Sequence, residues 1–187
     1  SMCPGGYPIQ ESQNWQAGFL PGGFQGSYID TKHRSIERLI SHIRNDRLTR
    51  TQQRRQLDLL QALNRRHQQA RHDDAEMETR IESFELAFRM QTSVPDLMDV
   101  SDEPDSAFDL YGPDSRKPGS FAANCLLARR LSERGVRFIN IIHASWDHHS
   151  NLDPELQYNA GAVDQPIAAL IKDLKQRGML EDTLVVW

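Results

Sequence analysis

The last third of the chain carries the pattern that most constrains the fold. Residues 136–142 (VRFINII) and 183–187 (TLVVW) are mostly β-branched and apolar, which is typical of buried strands. The helix predicted between them has the apolar stripe Val163, Ile167, Leu170, Ile171 and Leu174. Strand, helix and strand in this order form a βαβ unit. The sequence therefore predicts an α/β fold, with a parallel sheet and a right-handed crossover in residues 119–187.

A further helix is predicted directly before this unit, in residues 120–135 (SFAANCLLARRLSERG). Ser120 stands where an N-cap belongs, and Gly135 suits the left-handed conformation that ends many helices. Cys125 lies among apolar residues of this helix. It is therefore predicted to be a small buried apolar residue and not a nucleophile.

The first half of the chain is predicted to form a helical hairpin or small bundle over residues 36–91. Three helices are indicated by apolar residues at helical spacing. The residues are Ile36, Leu39, Ile40 and Ile43 in the first helix, Leu57, Leu60, Leu63 and Ala70 in the second, and Met77, Ile81, Phe84 and Phe88 in the third. The second helix is expected to begin at about Thr51 and the third near Asp73. Pro95 is expected to end the third, because proline disfavours helix at the residue before it.

Charge is segregated along the chain, although the net charge is only −4. Residues 32–71 hold eleven Lys or Arg against three Asp or Glu, and residues 73–114 hold thirteen Asp or Glu against two Arg. The basic block could bind a phosphate-bearing partner, or the two blocks could face each other as antiparallel helices. The arginines are not interleaved with aromatic residues, which favours the second interpretation, so no nucleic acid is expected as a partner.

Composition divides the chain into four segments. Residues 1–34 are rich in Gly and Pro and are predicted to be extended, residues 35–94 contain the helical hairpin, and residues 95–118 are acidic, with four prolines, as in a linker or surface loop. Residues 119–187 are predicted to be part of the α/β domain. Because the apolar run at 183–187 stops without a turn, the chain is interpreted as a fragment. No apolar stretch reaches the length of a membrane span.

A polar segment follows the first predicted strand, at the edge where open parallel sheets bind ligands. It holds His143, Asp147, His148, His149 and Asn151 within nine residues. Imidazole and carboxylate groups are ligands of divalent metals such as zinc, manganese or iron, so a metal or oxyanion site is predicted here. The alternative is a polar loop with solvated histidines, followed by a helix with an N-cap and first-turn pair at 153–154.

Several separated motifs occur in an order typical of one family. They are CLLARRLSERGVRFINI, WDHH and DLKQRGMLEDTLVVW in the second half, and FLPGGFQG, LDLLQALNRRH, ESFELAFRMQ and DLYG upstream. Together they cover nearly the whole chain. They resemble a bacterial family catalogued as domain of unknown function 1501 (DUF1501), within the alkaline phosphatase and sulfatase-like superfamily.

The resemblance implies a metal-dependent hydrolase of sulfate or phosphate esters, with an alkaline phosphatase-like parallel sheet, in the periplasm or secreted. In that superfamily an Asp and a His of one loop bind a divalent metal, such as zinc, manganese, calcium or magnesium. Here these positions fall on Asp147 and on His149 or His148, and His143 is a further candidate ligand. The superfamily spacing is Asp-x-x-x-His, whereas these histidines come one and two residues after the aspartate.

The resemblance also bears on catalysis by this chain alone. No residue matches the nucleophile of the superfamily, so the 187-residue chain is expected to be inactive by itself. The second hypothesis is a non-catalytic member of the same fold, whose helical hairpin makes protein contacts.

Exposed strand edges of a half sheet would also favour a homo-oligomer.

Overall fold

Helices make up the regular secondary structure of the residues that the structure describes. The computed structural model describes residues 26–33, 36–40, 45–70 and 75–187, together with Met2, Trp15, Gly18 and Leu20. The α-helices are α1 (Ile36–Leu39), α2 (Arg50–Ala70), α3 (Ala75–Met98), α4 (Asp105–Tyr111), α5 (Phe121–Glu133) and α6 (Leu152–Gln176). Short 3₁₀ helices lie at Pro113–Arg116 and Leu180–Asp182. None of the described helices is long and apolar enough to cross a membrane.

The predicted parallel sheet is wrong. Residues 136–142 and 183–187 form no strand in the described part of the chain, and the βαβ unit in 119–187 is therefore absent from it. One isolated parallel bridge joins Met2 to Ile141. An apolar run becomes a strand only when a neighbour pairs with its backbone N–H and C=O groups, and here the two runs do not pair with each other. α6 follows the first run as predicted, but it connects two irregular segments.

Several large apolar side chains of these two segments are exposed. Phe138 is 90% exposed, Leu184 is 87% exposed and Trp187 is 82% exposed. The described part of the chain has no strand edge through which two copies could pair. The predicted homo-oligomer remains a prediction.

The core is organised around α5, which is buried on most of its circumference. One cluster of buried side chains lies on one side and consists of Met2, Ile29, Leu39, Val94, Leu97, Leu127, Ala128 and Leu131. The other cluster consists of Phe108, Tyr111, Phe121, Cys125, Leu126, Val163 and Ala169. A helix that is apolar nearly all round is stable only when other elements cover it. α5 is therefore the central element of the described fold.

The ends of α5 and its cysteine agree with the sequence predictions. The hydroxyl of Ser120 accepts a hydrogen bond from the backbone N–H of Ala123 at 2.9 Å, as an N-cap does. Gly135 follows the helix with a φ of 81°, a conformation that glycine adopts without steric cost. Cys125 is 1% exposed, and burial raises the pKa of its thiol to about 12. The thiol is therefore protonated and is not an activated nucleophile.

The helical hairpin consists of α2 and α3, which lie antiparallel. Gln61 and Arg54 of α2 both contact Glu85 of α3; Arg54 Nη1 donates to Glu85 Oε2 at 2.8 Å and Gln61 Nε2 donates to Glu85 Oε1 at 2.7 Å. Nearer the start of α2, Nε2 of Gln91 donates a hydrogen bond to Oε1 of Gln53 at 3.1 Å. The basic and acidic blocks therefore meet in this pair of helices, at least through Arg54 and Glu85.

Two boundaries in this region differ from the prediction. α3 runs through position 95 to Met98, although Pro95 was expected to end it. Val94 and Leu97 are only 4% and 6% exposed, and their burial offsets the backbone hydrogen bond that a proline removes. The predicted loop at 95–118 contains α4 and a 3₁₀ helix, with Tyr111 fully buried. Pro104, Asp105 and Asp109 of this segment are exposed, whereas Glu103 is nearly buried.

Two consecutive arginines of α5 are buried against carboxylates. Arg129 is paired with Glu103 and also contacts Glu133 at 2.8 Å and Asp173 at 3.1 Å. Arg130 is paired with Glu103 as well, and its guanidinium donates to the backbone oxygens of Leu97 at 3.2 Å and Asp99 at 2.7 Å. We call Arg129, Arg130, Glu103, Glu133 and Asp173 the arginine network. It ties α5 to the segment after α3 and to α6.

Acid is expected to weaken the fold partly through Glu103. Burial alone would raise the pKa of Glu103, but hydrogen bonds from Arg129 and Arg130 outweigh burial and lower it. Its contribution to stability is therefore complete above the ordinary glutamate pKa of about 4.3 and is lost as the pH falls through the lower folded value. Urea unfolding of the wild type and of Glu103→Gln, repeated from neutral to acidic pH, measures how much stability each protein loses on acidification. The variant should be less stable near neutrality and lose less stability on acidification, and an equal acid loss in both proteins would contradict the expectation.

Candidate functional site

The polar loop at 143–151 is fixed to the first turns of α6 by Asn159. This side chain is 3% exposed, and its Nδ2 donates to the backbone oxygen of Ser145 at 2.6 Å. Ser145 and Asn151 adopt positive φ angles of 72° and 49°, and Asn151 is the N-cap residue of α6. Asparagine tolerates this left-handed conformation better than most residues. The loop therefore has a defined shape, and α6 begins at Leu152, with its N-cap at Asn151, two residues before the predicted N-cap Asp153.

His143 lies on the inner side of the loop. Its ring packs edge-on against Phe121 of α5 at 5.5 Å between centroids and against Trp146 at 5.8 Å. Its Nε2 lies 3.3 Å from Oδ1 of Asn159. Its Nδ1 is buried and has no hydrogen-bond partner among the described residues. Buried polar atoms of this kind are uncommon and call for an explanation.

The hydrogen bonds of Asn159 determine which nitrogen of His143 carries the proton. Because Nδ2 of Asn159 donates to the oxygen of Ser145, its Oδ1 is the atom that faces His143. An amide oxygen only accepts, so Nε2 of His143 is the protonated nitrogen and Nδ1 keeps its lone pair. The neutral tautomer of His143 thus has a buried acceptor without a partner.

His148 faces the same amide from the other side. Its side chain is 5% exposed, and its Nδ1 lies 2.9 Å from Oε2 of Glu155. Since an ionised carboxylate only accepts, Nδ1 of His148 is the protonated nitrogen. Its Nε2 keeps a lone pair, which receives a long contact of 3.5 Å from Nδ2 of Asn159. Each of the two histidines therefore has one ring nitrogen with a lone pair.

The other two predicted ligands lie outside this arrangement. Asp147 and His149 are 83% and 80% exposed and contact each other at 3.3 Å, between Oδ1 and Nδ1. The structure thus divides the four candidates into an inner pair, His143 and His148, and an outer pair. Among the described residues, no three His, Cys, Asp or Glu side chains are grouped closely enough to hold a metal ion. The predicted metal site, at Asp147 with His149 or His148 and with His143 as a further candidate, stays a prediction.

The inner pair by itself has features that suit a divalent metal. Metal-binding histidines commonly donate their second ring nitrogen to a carboxylate, which fixes the tautomer and raises the basicity of the ligating nitrogen. Glu155 has this position behind His148. Nδ1 of His143, which has no partner among the described residues, is a second nitrogen with a free lone pair. Two imidazoles and one supporting carboxylate fit part of the ligand set that zinc or manganese uses.

Two residues of this site were not predicted from the sequence. Glu155 and Asn159 are four residues apart, and so they lie on one face of α6. Asn159 also precedes the buried Val163 by four residues, which places a polar side chain in the continuation of the apolar stripe. A polar residue at such a position is a signal of a buried polar contact, since an unpaired amide there would be costly.

In the part that the structure describes, the molecule is a helical protein with a histidine loop held against its last long helix. The chain belongs to the family described as Protein of unknown function (DUF1501), whose sequence profile matches residues 1–187. The comparison with curated proteins found no match, and neither did the comparison with solved structures.

Proposed function

We propose that the chain contributes to a metal-dependent hydrolase of sulfate or phosphate esters, of the alkaline phosphatase-like kind. The observation that supports this proposal best is the inner pair of histidines: Nδ1 of His143 has a buried lone pair without a partner, and Nε2 of His148 has a lone pair that receives only a 3.5 Å contact from Asn159. Glu155 supports His148 in the manner of a carboxylate behind a metal ligand. We assign the metal to His143 and His148, with Asp147 and His149 of the outer pair as the remaining candidates.

The charges around the loop favour a cation over a bare anion. Asp147, Asp153 and Glu155 are carboxylates within or next to it, and Asp153 and Glu155 lie in the first turn of α6. They would repel a sulfate or phosphate ester unless a divalent ion neutralised them. A divalent ion held by His143 and His148 would supply Lewis-acid chemistry, since it would polarise the ester oxygens and lower the pKa of a bound water. Within this chain, Glu155 keeps the proton on Nδ1 of His148, and Asn159 keeps both rings in place.

Zinc and manganese titration of the 187-residue chain tests the assignment. Glu155→Gln keeps the size of the side chain and removes its charge, and it is expected to weaken metal binding about 10- to 100-fold. His148→Ala should weaken it at least as much, because it removes a ligand. A chromophoric chelator in competition with the protein measures each affinity, and circular dichroism verifies that the variants are folded.

The matched controls are Asp147→Ala and His149→Ala, which remove exposed side chains of the same loop. Affinity close to that of the wild type in both controls, with weak binding in His148→Ala, supports the inner pair. If the controls lose as much affinity as His148→Ala, the outer pair takes part as well. If the wild type binds neither ion, or all variants bind equally, the metal assignment is wrong.

A second candidate function is a non-catalytic scaffold that makes protein contacts through α2 and α3. One observation favours it: Leu59, Leu63 and Phe84 of these helices are 59%, 53% and 55% exposed. Apolar side chains this exposed on neighbouring helices are typical of surfaces that bind another protein. The titration separates the candidates, because the scaffold requires no metal.

A further inference from the structure

The side of α2 that points away from α3 has an apolar centre. Leu57 and Asn64 are 8% and 7% exposed and mark the inner side of the helix, on which Arg54 contacts α3. Leu59 comes two residues after Leu57, which is about 200° around the helix, and Leu63 follows it one turn later. Both leucines are more than half exposed. Because the solvent side of a helix in a bundle is usually polar, this leucine pair is a candidate contact surface.

An exposed arginine lies at each end of the leucine pair. Arg55 is one turn before the first leucine and Arg66 is one turn after the second. Neither forms an ion pair with another residue that the structure describes. The single acidic residue of α2, Asp58, lies 2.9 Å from Arg54 of the inner side. The two leucines and these two arginines, which we call the outer face of α2, therefore carry two positive charges that no described carboxylate neutralises.

The charges of the outer face disfavour pairing with the same face of a second copy. If two copies of α2 lay side by side in parallel, Arg55 would meet Arg55 and Arg66 would meet Arg66. If they lay antiparallel with the leucines in contact, Arg55 of each copy would approach Arg66 of the other. Like charges at such positions repel each other and exclude a pairing. The outer face therefore favours a partner of opposite charge.

Nucleic acids and membranes match only part of the outer face. Phosphate groups would pair with the arginines, but a nucleic acid would leave the two leucines without apolar contacts. A helix that lies in a membrane surface needs a large apolar face, and two leucines provide a small one. A protein helix with both apolar and acidic residues contacts all four side chains at once.

We propose that the outer face of α2 binds an acidic amphipathic helix of another protein. The matching helix has two apolar residues one turn apart, with Asp or Glu one turn before the first and one turn after the second. Its carboxylates pair with Arg55 and Arg66, whose planar guanidinium groups can bind both carboxylate oxygens. The two arginines are about 16 Å apart along the helix axis, so about three turns of the partner span the contact. This inference rests on the second candidate function, for which it specifies the partner, and it requires no metal.

Three synthetic helical peptides of about five turns test the choice of partner. They share two leucines one turn apart and differ at the flanking positions, which are Glu, Gln or Lys. Fluorescence anisotropy of the labelled peptides measures their binding to the intact chain. We expect the Glu peptide to bind about 3- to 30-fold more tightly than the Gln peptide, because it adds two ion pairs, and the Lys peptide to bind most weakly. These differences should shrink as salt is added.

Variants of the outer face distinguish recognition of charge from general adhesion. Arg55→Glu combined with Arg66→Glu should reverse the order, so that the Lys peptide binds most tightly. Leu59→Gln combined with Leu63→Gln should weaken binding of all three peptides at least about tenfold. Arg65→Gln is the matched control, because Arg65 is also exposed but lies about 100° around the helix from Arg66, and it should keep the wild-type order. Circular dichroism verifies that these surface variants are folded.

The proposal is overturned if the double glutamate variant keeps the wild-type order, or if Arg65→Gln weakens binding of the Glu peptide as much as that variant does. It is also overturned if the wild type binds the Glu and Lys peptides equally, a result that would leave the second candidate function standing without selection by charge. Absence of binding by all three peptides would contradict both. Vesicles of phosphatidylserine and a DNA duplex are compared in the same assay, and a preference for either over the Glu peptide overturns the proposal.

Discussion

Replacement of Arg129 by methionine is expected to destabilise the protein by about 3–5 kcal/mol. The side chain of Arg129 is 2% exposed and contacts three carboxylates, those of Glu103, Glu133 and Asp173. Methionine fills much of the same space but supplies no positive charge. Glu103 and Asp173 are themselves only 5% and 8% exposed, so the variant leaves two nearly buried carboxylates without one of their main partners.

Chemical unfolding in urea measures this loss, and Arg134→Met is the matched control. Arg134 lies five residues further along, just after α5, and is exposed, so its replacement should change the free energy of unfolding by no more than about 0.5 kcal/mol. Equal effects of the two substitutions would show that the arginine network contributes nothing specific. A further variant that combines Arg129→Met with Glu103→Leu should recover part of the loss, because an apolar pair often replaces a buried ion pair without cost.

Replacement of Tyr111 by alanine is the other change with a large expected effect, at about 3–5 kcal/mol. Tyr111 is fully buried in the cluster of Phe108, Phe121 and Leu126. Its hydroxyl donates to Oδ2 of Asp173 at 3.0 Å. Burial and the neighbouring Asp173 both raise the pKa of this hydroxyl, so it remains protonated and donates throughout the accessible pH range.

Tyr111→Phe separates the two parts of this effect. It keeps the ring and removes only the hydroxyl, so it should cost about 1.5–3 kcal/mol, the usual range for a hydrogen bond to a charged group. Tyr158→Phe is the control, since Tyr158 is 74% exposed and its change should be nearly neutral. Thermal unfolding of the three variants compares them, and a Tyr111→Phe variant as unstable as Tyr111→Ala would contradict the division between packing and hydrogen bonding.

Local signals in the sequence predicted local structure well. The helices α2, α5 and α6 and the caps of α5 at Ser120 and Gly135 all follow from short-range spacing and side-chain chemistry. The error concerned long-range pairing. An apolar run such as 136–142 is compatible with a strand, but the sequence does not state whether another segment lies beside it to share its backbone hydrogen bonds.

The histidine loop shows the same division between local and distant information. Its residue types were identified from the sequence, but their sorting into an inner and an outer pair depends on Asn159 and Glu155, which approach from α6. In the arginine network, Arg129 and Glu103 are 26 residues apart. No short-range pattern reveals such a contact. Counting charges along the chain therefore identified the basic and acidic blocks but missed these buried ion pairs.

The position of α5 between two clusters has a consequence for cooperativity. Leu127 packs into one cluster and Leu126 into the other, so neither cluster can lose its packing while α5 keeps its own. Separate cores joined by a flexible link can melt in separate steps, whereas cores that share a helix are thermodynamically coupled. A destabilising change on either side of α5 therefore lowers the unfolding free energy of the whole unit, and damage near the histidine loop is transmitted to the opposite side of the molecule.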